Sequence, residues 1–263
     1  MTSSSVDTGH GIPIVMIPGI QGHWQWMAPA VDALAQRHRV LSFSLEETGR
    51  EGAFDDYLDQ VDAVLDRAGL DQAVILGVSF GGLIATRYAA RRPQRTLALV
   101  LVVTPSPPWQ PTPRVSRYLA HPGWSVPAFA ARAGLRLVPE VLAALPRWRD
   151  RIGFLSTYGA RVLRFPISPA RMTERARRWA RTNVTEDCRH ITAPTLVITG
   201  EPRLDRVVPV EHTLTYLDLI SCAQHVVLAN TGHVGLVSRP AAFADLVGAF
   251  VATHVSSYDG SLC

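Results

Sequence analysis

The chain has no lysine; all 26 of its basic residues are arginine. A P-loop nucleotide site, which needs Gly-Lys-Ser/Thr, is excluded, and so is Schiff-base chemistry, pyridoxal phosphate enzymes included. Cysteine is scarce. Its three copies, at 188, 222 and 263, form neither a disulfide framework nor a paired metal knuckle. No HExxH spacing occurs, and no run of about 18 apolar residues that could cross a membrane. Residues 1–11 are rich in Ser, Thr and Gly and lack the apolar stretch of a signal peptide. These absences predict a cytoplasmic protein with no metal, no organic cofactor and no membrane partner. What is present is globular: 47% of the 263 residues are hydrophobic against 18% charged, which supplies a sizeable core and excludes disorder. The length suits one large domain or a core with an insertion.

Charge is unevenly spread. Residues 105–190 hold 15 Arg against five acids, Glu140, Asp150, Glu174, Glu186 and Asp187, a net of +10; the rest of the chain is net −6. The asymmetry predicts two structural parts. The plain reading of the basic part is an Arg-rich solvated face; the sharper one is an anionic ligand. A nucleic-acid partner is not expected, because no binding module is recognisable.

Apolar runs alternate with amphipathic stretches. Strands are expected at residues 12–17, 39–44, 72–78, 96–103, 195–199 and 224–229, and helices near 26–37, 54–68, 80–91, 209–220 and 241–253. This order implies a mostly parallel sheet of about six strands covered by helices on both faces, an α/β fold. The expected division is a core of residues 1–104 and 191–263 with a helical, Arg-rich lid, residues 105–190, inserted between the fourth and fifth strands. The insertion's best helix, 171–181, places Met172, Ala176, Trp179 and Ala180 on one apolar face.

Gly77-Val78-Ser79-Phe80-Gly81 is a G-x-S-x-G pentapeptide lying between an apolar strand and a helix. A serine there sits on a tightly bent turn that bulk at either glycine would obstruct, and the helix N-terminus behind it favours negative charge. A nucleophilic serine needs a base, and the base needs an orienting carboxylate. In an open α/β sheet both belong on loops after the carboxyl ends of strands. His233, just after the last strand, is the expected base, with His23 as its rival. Asp205, in the loop after the fifth strand, is the expected acid, with Glu201 as runner-up.

Gly77-Val-Ser-Phe-Gly-Gly82, Asp205-Arg-Val-Val-Pro209 and Gly232-His233 followed by Arg239-Pro240 resemble the α/β-hydrolase superfamily, in its lidded group of small esterases and C–C bond hydrolases. The resemblance covers about residues 12–104 and 192–253. It implies Ser79 as nucleophile, His233 as general base then acid, and Asp205 as orienting acid. It implies an oxyanion hole of two backbone N–H groups, those of Phe80 and of Ile20 in Pro18-Gly19-Ile20-Gln21-Gly22. The chain departs from the family pattern at Pro18, where a His is usual, in an acid loop two residues longer than common, and at Val78, where the C–C hydrolases often carry Asn. Residues 1–11 leave room for at most a stub of the family's N-terminal hairpin.

The expected activity is serine-dependent hydrolysis of a carboxylic ester in a small to medium, partly apolar small-molecule substrate. Trp109, Trp124, Trp148, Trp179, Tyr118, Phe129, Phe154, Tyr158 and Phe165 furnish the lid with aromatic surface, for a pocket or for the lid's own core. Arg114, Arg117, Arg161 and Arg164 are candidates to meet a substrate carboxylate. A C–C bond hydrolase of a vinylogous diketone, a lactonase, a thioesterase and an acyltransferase use the same triad. A non-catalytic hydrolase-fold binding protein is the alternative outside enzymology. Oligomeric state has no sequence signature here.

Overall fold

A computed structural model describes residues 4–47, 53–107 and 135–255. Seven strands, β1 (Ser5–Thr8), β2 (Pro13–Ile17), β3 (Arg39–Phe43), β4 (Ala73–Val78), β5 (Thr96–Val102), β6 (Thr195–Thr199) and β7 (Ala223–Val227), form one sheet in the order β1-β3-β2-β4-β5-β6-β7. All pairs are parallel except β1 with β3. The six expected strands are thus joined by a seventh. Ser5–Thr8 has no apolar pattern to announce a strand; it is an edge strand held by β3 and by the Arg39–Asp7 ion pair, at 2.7 Å.

The period of two along each strand sorts the core into two clusters, one per face. Val15, Ile17, Ala73, Ile75, Leu99, Leu101 and Val197 lie on one side with α2 (Asp56–Arg67) and α3 (Phe80–Arg91). Ile14, Met16, Val74, Leu76, Val100 and Ile198 lie on the other with α1 (Ala28–Leu34) and the C-terminal helix. Because both faces are covered, β2, β4 and β6 are buried at every residue, which is why they read as continuous apolar runs. Helix α2 buries Tyr57, Leu58, Val61, Val64 and Leu65 at three- and four-residue steps. Helix α3 stops before Pro93, which cannot continue it.

Between β5 and β6 lie a helical stretch at 135–144 and helices α4 (Trp148–Arg164), α5 (Pro169–Ala180) and α6 (Thr185–Arg189). Ser168 caps α5 by accepting the Arg171 N–H, and Pro169 occupies its first turn. After β6 come α7 (Val210–Leu219), β7, α8 (Gly235–Ser238) and α9 (Pro240–His254). The expected apolar face of α5 is corrected. The helix buries Thr173, Arg175, Ala176 and Arg178; Trp179 is half-buried against Phe80 and the core, Met172 is half-buried, and Ala180 is exposed. Two of the arginines read as solvated therefore face inward, because core oxygen atoms await them there. Trp109, Trp124, Tyr118, Phe129, Arg114 and Arg117 lie outside the described residues.

Candidate active site

Ser79 sits between β4 and α3 at φ 53°, ψ −119°, a left-handed conformation rare for a residue with a side chain. Its surroundings impose it. A Cβ on Gly77 would fall 2.3 Å from the Gly81 carbonyl oxygen, and one on Gly81 would fall 2.4 Å from that of Ile17. Only glycine lets β4, the turn and α3 approach this closely. The Ser79 N–H donates to the Val102 carbonyl at 2.8 Å, tying the turn to the end of β5.

The loop after β2 stands beside the serine: the Cβ direction of Gly19 points to within 3.5 Å of Ser79 Cβ. A turn closed by the Gly22 N–H on the Gly19 carbonyl, 2.9 Å, carries Ile20. Phe80 begins α3, whose first N–H groups have no partner within the helix. Its ring is buried against Phe54, Tyr57 and Trp179.

Asp205 and His233 meet, with Oδ2 and Nδ1 3.4 Å apart. The carboxylate is buried, and its Oδ1 accepts the N–H groups of Val207 (3.0 Å) and Val208 (2.9 Å), which aims Oδ2 at the imidazole. The acid and histidine loops lock through two glycines. A Cβ on Gly200 would strike Gly232 Cα at 2.6 Å, and one on Gly232 would strike the Leu204 carbonyl at the same distance. His233 lines a small recess with Val102, Val103, Ile198 and Thr199, so the histidine loop and the Ser79 turn both adjoin Val102.

The two rivals have other partners. Glu201 takes the Asn230 N–H at 2.7 Å and Arg203 at 2.8 Å, which together hold its carboxyl below the usual range. His23 lies against the Phe165 ring, 6.1 Å between centroids. Burial, then the charges of Arg175 and Arg171, push its pKa down.

Three residues escaped the sequence reading. Val103, β-branched yet at φ 44°, follows β5 beside the recess. Arg175, 1% exposed, donates to the carbonyls of Ile20 (2.8 Å) and Leu45 (3.0 Å) and pairs with Glu47 at 2.6 Å. Glu140, with no exposed surface, accepts the N–H groups of Gly232 (2.7 Å) and Val234 (2.8 Å), the two residues flanking His233. Burial pushes the Glu140 carboxyl up to about 7, against the pull of those two donors. The one signal for it was a single acid inside the apolar, Arg-bounded stretch 135–149.

Aromatic contacts complete the seam between inserted helices and core. Tyr158 meets Trp26 edge to face at 5.6 Å and stacks on Phe154 at 5.3 Å, and the Trp26 indole N–H donates to the Phe165 carbonyl at 3.1 Å. Among the described residues no cluster of three His, Cys, Asp or Glu could hold a metal ion, and no helix is long and apolar enough to cross a membrane.

The chain is 30% identical to a 2-hydroxymuconate semialdehyde hydrolase of Pseudomonas sp. (strain CF600), over 94% of this chain and 89% of that one. It is 26% identical to a 2-hydroxy-6-oxo-2,4-heptadienoate hydrolase of Pseudomonas putida, over 94% and 92%. Among solved structures, an esterase from Exiguobacterium antarcticum superposes with a TM-score of 0.77 at 17% identity, covering 94% of each chain, a likeness of fold. A family model described as the alpha/beta hydrolase fold matches residues 12–240. Sheet order, serine turn and these matches agree: this chain belongs to the α/β-hydrolase-fold family and is a hydrolase of that fold.

Proposed function

We propose that the protein is a serine hydrolase that cleaves a carboxylic ester of a small to medium, partly apolar substrate through an acyl-enzyme. Residues 1–104 and 191–263 form the catalytic core in this reading, and 105–190 the lid. The observation that carries it is the bent serine turn over the same strand end, β5, as a histidine backed by a buried aspartate.

With Nδ1 turned to Asp205, the other imidazole nitrogen, Nε2, serves as base. Ser79 Oγ adds to the ester carbonyl and its proton passes to His233. The negative charge moves to the former carbonyl oxygen, held by the N–H groups of Phe80 and Ile20, each of which supplies on the order of 3 kcal/mol of transition-state stabilisation. The C–O bond breaks, and His233 returns its proton to the departing alcohol. Water then gives its proton to His233, adds to the acyl-enzyme, and releases the acid as Ser79 recovers the proton. Asp205 holds the imidazole and stabilises its charged form throughout. Ester cleavage asks nothing beyond these groups.

A second reading is hydrolysis of a C–C bond in a vinylogous diketone. It is favoured by the two Pseudomonas relatives, which match over nearly their whole length and are named as hydrolases of 2-hydroxymuconate semialdehyde and 2-hydroxy-6-oxo-2,4-heptadienoate. It requires one further step, protonation of a carbon leaving group.

Fluorophosphonate labelling with mass mapping tests the shared part. Rapid modification at Ser79, abolished in His233→Ala, is expected; a folded wild-type protein that stays unlabelled at Ser79 would sink both readings. Two assays then separate them: an acyl-length panel of esters, and the loss of the dienol chromophore of a 2-hydroxy-6-oxo-dienoate. Turnover of the dienoate with no ester cleaved replaces the first reading with the second.

A further inference from the structure

The inserted helices deliver one carboxyl group into the heart of the candidate site, and the triad chemistry above makes no use of it. Glu140 lies in the helical stretch 135–144 and is sealed from solvent. Its Oε1 receives two backbone N–H groups at 2.7 and 2.8 Å, and these belong to Gly232 and Val234, the neighbours of His233 on either side. Its Oε2 is buried with no hydrogen-bond partner among the described residues. The contact spans 92 positions of sequence, so it is tertiary and not a by-product of a local turn.

We propose that Glu140 is a positioning residue for His233: it grips the histidine loop by the two N–H groups that bracket the imidazole, and as a carboxylate it favours the protonated ring. The inference rests on the serine-hydrolase reading for its catalytic meaning, though not for its geometry. Two features argue for a role beyond filling space. An anchor alone could be a neutral amide, which accepts both N–H groups without the cost of burying an ionisable group. And the groups facing Glu140 are those of the proton-transfer step. His233 attracts its negative charge, Asp205 repels it, and Tyr158 of α4 lies within range of its field. His233 thus has a carboxylate on its ring nitrogen and a second carboxyl group beneath its backbone. With its proton on Oε2, Glu140 keeps Oε1 free to accept both N–H groups, so the grip does not depend on charge while the electrostatic assistance does. Because Glu140 rides on the insertion, whatever displaces that stretch also loosens the support of His233.

The test compares wild type, Glu140→Gln and Glu140→Ala in the full chain. Folding is checked by thermal melting, the labelling rate of Ser79 by fluorophosphonate, and the grip on the loop by hydrogen exchange at the Gly232 and Val234 amides. Glu140→Ala is expected to slow labelling on the order of tenfold to a hundredfold while the sheet stays folded, as a displaced general base does. Glu140→Gln is expected to recover labelling to within about threefold of wild type, since its amide oxygen accepts the same two N–H groups. Its Gly232 and Val234 amides should keep the exchange protection that Glu140→Ala loses. A folded Glu140→Ala with wild-type labelling overturns the positioning role. If that variant does not fold, Glu140→Gln decides, and a folded Gln variant that loses protection at both amides or labels more than about tenfold slower overturns the proposal. Should wild-type Ser79 itself not react, the serine-hydrolase reading fails by itself. Hydrogen exchange at the Gly232 and Val234 amides needs no reaction and still tests the link between Glu140 and the loop of His233.

Discussion

In the sheet, Val15, Ile75, Leu99 and Val197 expose nothing and share one apolar cluster with helices α2, α3, α6 and α7. In α4, no residue is buried, and Trp148, Ile152, Leu155 and Leu163 are 58 to 84% exposed. The core is held by area removed from water, roughly 25 cal/mol for each Å². The inserted helices are held at a few points, two of which are buried charges: Arg175 on the loop of Ile20, and Glu140 on the loop of His233. Apolar burial is spread over many neighbours and tolerates small shifts. A buried charge with fixed hydrogen-bond partners tolerates almost none, because an unpaired group in the interior is costly. The difference teaches that stability and site geometry have separate sources here. The sheet supplies the first, and polar contacts from the insertion tune the second.

The strongest way to break that division is Arg175→Ala. It leaves Glu47 short of its 2.6 Å partner and two carbonyls without donors. Removing one member of such a buried pair costs about 3–5 kcal/mol. The loss should fall on the docking of the insertion. Hydrogen exchange is expected to quicken throughout α5 while amides of β4 keep their protection, and Ser79 labelling should slow because the Ile20 loop loses its brace. Equal loss of protection in α5 and β4 would mean that the two regions unfold as one and the division is false. The apolar counterpart is Leu99→Ala, whose side chain is fully buried in β5. It should cost about 2–5 kcal/mol. Denaturant unfolding would register this as a lower midpoint, with protection lost in β4 and α5 together and the labelling rate of the folded protein unchanged.

The same division governs how much the sequence revealed. Strands buried on both faces must be continuously apolar, so β2, β4, β5 and β6 were legible, as were the glycines that permit the Ser79 turn. The positions of Asp205 and His233 were legible because each follows a strand at the carboxyl edge; the two side chains lie 3.4 Å apart. Edge strand β1 was hidden, since its pairing draws on backbone groups that every residue possesses. Arg175 and Glu140 were hidden for a different reason. Their partners are main-chain atoms 155 and 92 positions away, and a carbonyl or N–H leaves no mark in a sequence. The arginines of α5 read as a solvated face because what turns Arg175 inward, Leu45, Glu47 and Ile20, lies far along the chain.

A smaller effect separates the two buried charges by pH. The Glu140 carboxyl, raised to about 7 by burial, keeps its proton in the folded chain after the unfolded chain has released it near the ordinary glutamate value of 4.5. Between those limits the folded state binds more protons, so the contribution of Glu140 to stability is complete below the lower limit and is lost as pH rises to the upper one. The span amounts to at most about 3 kcal/mol. Glu140→Gln cannot titrate, so the stability of wild type should decline relative to that variant across this window and run parallel to it at higher pH. Denaturant melts at several pH values measure the difference. A constant offset would mean that Glu140 titrates alike in both states, and that its burial carries no charge cost.

The smallest effect sharpens the comparison from the opposite side. Leu163, near the end of α4, is 84% exposed and has almost no apolar area to lose. If the insertion is held by its few polar points, Leu163→Ser should change stability by no more than about 0.5 kcal/mol, the usual size for a surface substitution away from any anchor. Labelling at Ser79 should also stay as it was, since Leu163 neither supports the Ile20 loop nor touches that of His233. Arg175→Ala, on the neighbouring α5, would then outweigh it several-fold in stability despite removing a polar side chain and not an apolar one. That inversion of the rule obeyed in the sheet, where apolar truncation is the costly change, is the sharpest form of the contrast. A large loss from Leu163→Ser would show that apolar burial holds the insertion after all, and that the two regions are built alike.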